Sequence, residues 1–408
     1  MHAILTNEDR YEALKLYFDY LRAPYFSNIY FKFRDDFFDF LDKHEFDSEK
    51  KLKSYLKLKK EIDKHRKTKL NLKESIVEAT NLPVSVKALI LDELKYDKTD
   101  KKTQWARTVL RLPLVIEDVK YSKTLLADVK QNLDEHISFL DVPKTYILMY
   151  LQNLVSNKQT NVKALGLYGG MGLGKTFLVK TCLAKSLNRN VYLIKLGGVK
   201  SSRYLTGHDY TYIGSQPGII VRQIITDPNP TLSSIILWDE IDKIEQTDEG
   251  RGVIDCVADI IDKTKNSCFH DDYIGTNIDI NLSHCLHVFT MNDKSRLSGT
   301  SLEDRIEFIH IPDLTKPQKL EIARKHIIPK IETKMTFTDE SLTRIIDSYC
   351  HNEVGVRQLE RNIQKIIDYT HLQTPNYDSV INTEHVDSVM KKLTTDDSAT
   401  KNYQNMFN

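Results

Sequence analysis

The sequence predicts an α/β fold: a parallel β-sheet flanked by helices, preceded by a helical amino-terminal region and followed by a small helical unit. Three observations predict it. Apolar runs of strand length alternate with helical patterns from about residue 116 to 312, which is how a parallel sheet with crossover helices reads. The run Ala164–Tyr168 leads directly into Gly169-Gly170-Met171-Gly172-Leu173-Gly174-Lys175-Thr176, and a helical pattern follows from Phe177. That is the strand–loop–helix context a phosphate-binding loop requires. Beyond residue 313 helical patterns continue alone to about 393.

Length and composition bound the answer. A chain of 408 residues has room for two or three domains. Its formal net charge of +1 argues against a generic polyanion binder and leaves local patches to consider. Five scattered cysteines form no C-x-x-C pair, so neither a disulfide framework nor a zinc site is expected. The start, "MHAILTNEDRYEALK", carries charges where a signal peptide needs its apolar core, and no apolar run reaches membrane-spanning length. A cytoplasmic protein without membrane contact is the expectation.

Taken in order, residues 1–45 are crowded with aromatics and 46–115 are helical and lysine-rich, broken at Pro83 and Pro113. Together, 1–115 form the amino-terminal helical region. Within it, Lys50–Lys73 holds eleven Lys and Arg residues, with Leu52, Tyr55 (or Leu56), Lys59 and Ile62 at helical spacing. Either a solvated helix face or contact with nucleic acid fits that pattern. The aromatic segment reads as a small helical core or a docking module. From 116 to 312 the strand candidates include "ALGLY", "NVYLIKL", "SIILW" and "CLHVFTM". From 313 to 393 the helical stretches are "KPQKLEIARKHIIPKI", "DESLTRIIDSYC" and "GVRQLERNIQKIIDYTH", with Thr338-Asp339-Glu340 as an amino-terminal capping signal. Residues 394–408 are a polar tail.

The chemistry concentrates at the ends of the strand candidates. Glycines at 169, 170, 172 and 174 let backbone N–H groups turn towards an anion, and the following helix presents its positive end to it. Lys175 would contact the β- and γ-phosphates of a nucleotide, with the Thr176 hydroxyl on magnesium. In "SIILWDEIDK", Asp239 and Glu240 emerge at a strand's carboxyl end, where ligands belong in an open α/β sheet. Asp239 would hold Mg2+ through water, and Glu240 would orient or deprotonate the water that attacks the γ-phosphate. Asn292, after "CLHVFTM", would align that water. Arg305 in "TSLEDRIEF" and Arg357 in "EVGVRQL" have the planar, permanently charged fork that suits a transferring phosphoryl group, a surface ion pair being the alternative for each.

These motifs, in this order, resemble the ATPase half of the Lon protease family, within the AAA+ class. The likeness runs from about residue 115 to 393, through "LIKLGGVKSSRYLTGHDYTYIGSQPGIIVRQI" and "CFHDDYIGTNIDINLSHCLHVFTMN", and extends more weakly upstream to about residue 72 through "LKESIVEATNLPVSVKALILDELK" and "WARTVLRLP". The resemblance implies an α/β AAA+ P-loop domain over 116–312, a small helical lid over 313–393, and ATP with Mg2+ as ligands. It implies that Asn292 is the first sensor, that Arg357 is the second sensor on the lid, and that Arg305 is a finger completing a neighbour's site in a hexameric ring. "TYIG" resembles the family's first pore loop, so Tyr212 and Ile213 would grip an extended polypeptide by side-chain packing.

Departures from the family pattern matter too. Members carry a carboxy-terminal protease domain with a Ser–Lys dyad, which the fifteen residues after the lid could not hold, so Ser398 and Lys401 are not expected to be one. The segment that usually reads H-Y-G-L here reads Ile137-Ser138-Phe139-Leu140, with Phe139 in place of the glycine. The loop reads G-G-M-G-L-G rather than G-P-P-G-x-G. The expectation is an ATP-driven ring that unfolds, translocates or remodels polypeptides without cutting them. The alternatives are an ATPase subunit serving a peptidase on a separate chain and a nucleic-acid-associated ATPase using the basic helix.

Overall fold

The computed structural model describes residues 72–96, 99–115, 121–156, 163–212, 214–331, 335–350, 353–373 and 380–393. Outside the described residues lie the aromatic segment 1–45, nearly all of the basic stretch, the polar tail with Ser398 and Lys401, and Ile213.

Five strands form one sheet: β1 (Ala164–Tyr168), β2 (Val191–Lys195), β3 (Ile235–Asp239), β4 (Leu286–Met291) and β5 (Ile306–His310), in the order β2-β3-β4-β1-β5. Every pairing is parallel. A parallel sheet is covered on both faces, so its central strands read as unbroken apolar runs, and β4 is buried throughout. The fifth strand was not among the four anticipated runs. Its sequence, Ile-Glu-Phe-Ile-His, carries polar residues because β5 is an edge strand, only partly covered.

Alternation along the strands sorts the core into two layers. Ile236, Trp238, Phe289 and Met291 face one side; Leu165, Leu167, Leu237 and Val288 face the other. The first side is covered by α1 (Leu72–Glu78), α2 (Val84–Tyr96), α3 (Asp100–Leu110), α7 (Ile219–Thr226) and α8 (Asp248–Ile261). The second is covered by α4 (Leu125–His136), α5 (Asp141–Ser156) and α6, which runs from Lys175–Phe177 through a π-helical turn, Leu178–Leu183, to Ala184–Leu187. In the first layer, Trp238 Nε1–H donates to His287 Nδ1 at 3.2 Å, and burial pushes the His287 imidazole down to about 3. A neutral histidine is thus the acceptor that lets a tryptophan sit fully buried.

A third core belongs to the carboxy-terminal residues. There α9 runs from Lys316–Ile322 through a π-helical turn, Ala323–Ile327, to Ile328–Lys330. It packs with α10 (Asp339–Tyr349), α11 (Arg357–Gln373) and a helix over 383–393. Thr338 caps α10, accepting from the Ser341 N–H at 3.2 Å. A short parallel pair, β6 (Thr336–Phe337) with β7 (Val380–Ile381), adds strand structure that helical periodicity alone does not predict. Among the described residues no helix is long and apolar enough to cross a membrane.

Gly166 in β1 shows how tightly the sheet is filled: a Cβ there would fall 2.5 Å from Ile306 Cγ2 and 3.0 Å from Phe308 Cδ1. Overpacking of this kind costs about 1–3 kcal/mol. Gly166→Val is expected to lower the denaturation midpoint accordingly, measured by urea unfolding; an unchanged midpoint would contradict this packing.

Candidate functional site

The sheet register brings the carboxyl ends of β1, β4 and β3 into line: Tyr168 pairs with Met291, and Asp239 with Thr290. Loops leaving these ends therefore converge. The glycine-rich loop leaves β1 and enters α6 at Lys175. Gly172 has φ +77°, and a Cβ there would lie 2.8 Å from Glu353 Oε1 and 3.1 Å from the Arg357 nitrogen. A residue with a side chain would be strained by its backbone and blocked by its neighbours. Those neighbours come from the carboxy-terminal unit, and Val356 N–H donates to the Gly172 carbonyl at 3.1 Å. Loop and helical unit are in backbone contact.

Lys175 is the hub. Its Nζ donates to the carbonyls of Gly169 and Gly170, both at 2.7 Å, and to Asn292 Oδ1 at 3.2 Å. Burial pushes its ammonium below the ordinary lysine range, while the Asp242 and Asp239 carboxylates pull it back up. Asp239 accepts from the Thr290 hydroxyl of the adjacent strand, which fixes the carboxylate's rotation.

Glu240 takes φ +61°, a left-handed conformation uncommon outside glycine. Its amide donates to the Thr290 carbonyl at 3.0 Å, and its carboxylate pairs with Lys243 at 2.5 Å. Asp242 Oδ2 accepts from the backbone N–H groups of Asn292 (2.9 Å) and Asp293 (3.3 Å). It thereby ties the turn after β3 to the turn after β4.

A cleft of ≈ 560 Å³ opens over these groups. Met171 to Thr176, Asp239, Glu240, Asp242, Asn292 and Arg357 line it, together with the apolar Ile137, Leu140, Ile322 and Ile327 and with Ser138 and His326. Ser138 Oγ and His326 Nε2 are 2.8 Å apart, joining the segment before α5 to the π-helical turn of α9. Burial, with Lys325 nearby, pushes the His326 imidazole below its ordinary value. Phe139 and Leu140 have φ +64° and +47°. The chain makes a left-handed turn at Phe139 and Leu140 without glycine and bears the strain.

The donor set fits a magnesium–nucleotide. A hydroxyl (Thr176) and a carboxylate (Asp239) are hard oxygen donors, and Mg2+ commonly takes only one or two protein oxygens beside phosphate and water. Among the described residues no group of three or more His, Cys, Asp and Glu forms a cage for another metal. Of the residues singled out from sequence, Asp239, Glu240, Asn292, Arg357 and the loop from Met171 to Thr176 share the cleft, and Gly169 and Gly170 contribute carbonyls to Lys175. Arg305 does not line it: its guanidinium donates to the Ser301 carbonyl at 2.5 Å and to Asp262 at 2.9 Å. Tyr212 also stands apart, 68% exposed.

Three contributors were missed by sequence reasoning. Asp242, three residues after Asp239, offers a signal in the repeated acid of "DEIDK". Glu353 accepts from the Gln358 N–H at 2.7 Å at the start of α11 and is visible only as an acid before "GVR". Nothing local marks His326, whose partner Ser138 is 188 residues away.

Residues 165–312 match the family model "ATPase family associated with various cellular activities (AAA)", and residues 330–371 match the "Lon protease AAA+ ATPase lid domain". The chain is 32% identical over 323 residues to a Lon protease of Campylobacter concisus, covering 75% of this chain and 39% of that protein. It is 33% identical over 303 residues to Lon protease 1 of Bacillus subtilis, covering 71% and 38%. A Lon protease homolog of Acanthamoeba polyphaga mimivirus is 28% identical over 351 residues, covering 78% and 34%. The chain thus spans less than two fifths of the length of these curated relatives.

The left-handed Phe139 generates a prediction. Such a conformation costs an L-residue roughly 1–2 kcal/mol, while glycine loses roughly 0.5–1 kcal/mol more chain entropy on folding. Phe139→Gly is therefore expected to raise unfolding free energy by up to about 1.5 kcal/mol. Urea denaturation checks this; a clear loss of stability would mean that Phe139 packing outweighs the strain.

Proposed function

Residues 165–371 carry a Lon-type AAA+ ATPase module, and from that premise we propose that this chain is one subunit of an ATP-hydrolysing ring that pulls on extended polypeptide. The observation that carries the reading is a division of labour: the cleft holds Lys175, Asp239, Glu240, Asn292 and Arg357, whereas Arg305 is fixed outside it. In this reading the cleft is completed by the Arg305 of a neighbouring subunit.

In this reading Lys175 exchanges the Gly169 and Gly170 carbonyls for the phosphate oxygens of ATP. The loop's N–H groups and the start of α6 bind the remaining phosphate charge. Thr176 and Asp239 would hold Mg2+, which when bound neutralises charge developing on the phosphates. Glu240 takes the proton of the attacking water, and for that it must leave Lys243. Asn292, held by Asp242 and touching Lys175, aligns the water. Arg357, at the start of α11, reports the nucleotide's state to the carboxy-terminal helices. Ile137, Leu140, Ile322 and Ile327 receive the base.

Arg305 would reach a neighbour's γ-phosphate. Hydrogen bonds from Thr264, and then from Arg305 itself, hold the Asp262 carboxyl well below the usual carboxylate range. Asp262 therefore remains an anion that keeps the finger in place. Exposed Tyr212 is the contact to polypeptide, and no residue of the cleft is assigned to cutting it. A peptidase on a separate chain would make use of the same motor.

Two outcomes test the reading. ATP hydrolysis is expected to rise with unfolded casein, to fall by about 10²-fold or more in Glu240→Gln, and to leave casein uncut on a gel. Hydrolysis indifferent to casein but stimulated by DNA would transfer the activity to nucleic acid. Arg305→Ala is expected to lose about 10³-fold or more in turnover. Mixing it with Lys175→Ala subunits, inactive but bearing the finger, restores part of that loss if the finger acts between subunits. No recovery in mixed rings would confine Arg305 to its own chain.

A further inference from the structure

Helix α3 reaches from the front of the chain to the loop that carries Tyr212. Lys102 is 6% exposed; its ammonium pairs with Glu93 on α2 and donates to the Tyr210 hydroxyl at 2.6 Å. It lies 4.6 Å from the Tyr210 ring centroid and 5.4 Å from that of Trp105, so both aromatic faces stabilise the cation. Burial alone would lower the Lys102 ammonium, but the hydrogen bonds to Glu93 and Tyr210 outweigh it and hold the group above its ordinary value. The residue stays charged.

Two further contacts run the same way. Lys101 Nζ donates to the Thr211 carbonyl at 2.7 Å, and Trp105 Nε1–H donates to the Ile274 carbonyl at 2.9 Å. The Ile274 N–H in turn donates to the buried Asp271, which also accepts from Gly218, where the Tyr212 loop returns to α7. The loop is held from the front helices near its tip and from the 271–274 turn at its root. Within it, Asp209 accepts from the Thr211 amide and hydroxyl at 2.9 and 2.8 Å, and the Tyr212 N–H donates to the Asp209 carbonyl.

Lys102 is buried while its partner Glu93 is part-exposed; such a pair is a poor source of net stability, but it can specify one arrangement among several. Lys102 adds a charged contact at Tyr210 to the bonds by which Lys101, Asp209 and Asp271 hold the same loop. We propose that Lys102 is a positioning residue for Tyr212: by holding Tyr210, it sets where the Tyr212 ring stands and places the loop's grip under the control of α1–α3. The functional half of this inference rests on the reading of Tyr212 as the polypeptide contact.

The test uses the full 408-residue chain with Lys102→Met, Lys102→Arg and Tyr210→Phe. Hydrogen exchange over residues 208–216 reads the loop directly, and ATPase activity with and without casein reads its use. Losing a charged hydrogen bond is expected to speed exchange of the loop amides about tenfold in Lys102→Met, with a smaller effect in Tyr210→Phe. The casein concentration for half-stimulation should rise several-fold, ATPase activity without casein should stay unchanged, and Lys102→Arg should behave as the parent. Should Lys102→Met fail to fold, Tyr210→Phe removes one hydroxyl and asks the same question. Unchanged loop exchange in both variants would overturn the proposal, as would faster exchange with unaltered casein dependence. Tyr212→Ala separates the two readings: if it leaves casein stimulation intact, the polypeptide reading fails, while the exchange data still decide whether Lys102 holds the loop.

Discussion

A lysine ammonium half-sunk into the carboxyl edge of a parallel sheet organises this protein. Stripped of water, such a charge costs several kcal/mol unless it is fully bonded. The loop from Gly169 to Gly174 meets that demand by turning two carbonyls inward onto Lys175, and β4 adds the Asn292 side chain. The loop also follows a path that residues with side chains avoid, with Gly172 at φ +77° and Gly174 at +76°. The same cation, charge-matched by Asp239 and Asp242, draws the ends of β1, β3 and β4 into one site. Triphosphate oxygens would replace the loop carbonyls on a group already paired and placed.

Around this hub the structure carries backbone strain selectively. Among the described residues, Phe139, Leu140, Asn188 and Glu240 are the non-glycine positions with positive φ. Asn188 closes α6 as a left-handed helix cap, a place where asparagine is at ease. The other three lie in or beside the cleft. Each costs roughly 1–2 kcal/mol, and strain of that size persists only where the surroundings over-determine it. At Glu240 the surroundings are a backbone hydrogen bond to Thr290 and the Lys243 ion pair. At Phe139–Leu140 they are the start of α5 and the Ser138–His326 contact with α9. The left-handed turn at Phe139 and Leu140 leads the chain into α5 beside the cleft.

Helices α1–α3 share one continuous apolar layer with Trp238, Phe289 and Tyr192 of the sheet. They are part of the same core, not an appendage. That placement lets α3 extend Lys101, Lys102 and Trp105 to the loop around Tyr210 and the turn around Ile274. Helices that seem remote from the cleft in sequence therefore stand against the surface through which the module is proposed to act.

Much of this was legible in the sequence, and the limits of legibility are physical. The central strands announced themselves because burial on both faces demands unbroken apolar runs; β5 did not, because an edge strand tolerates Glu307 and His310. The loop, the Asp239–Glu240 pair and Asn292 were readable because their chemistry depends on short spacing along one strand–loop unit. By itself, then, the sequence determined the four apolar strands, the glycine-rich loop after β1 and the acids after β3. Only the tertiary structure decided that Asp242 braces Asn292, that Val356 ties the helical unit to the Gly172 carbonyl, and that Ser138 meets His326. It also decided that Arg305 is held away from its own cleft, and that Lys102 grips Tyr210 across 108 residues. Spacing along the chain encodes interactions within a turn or a strand, whereas these pairings depend on how separate layers come to lie against one another.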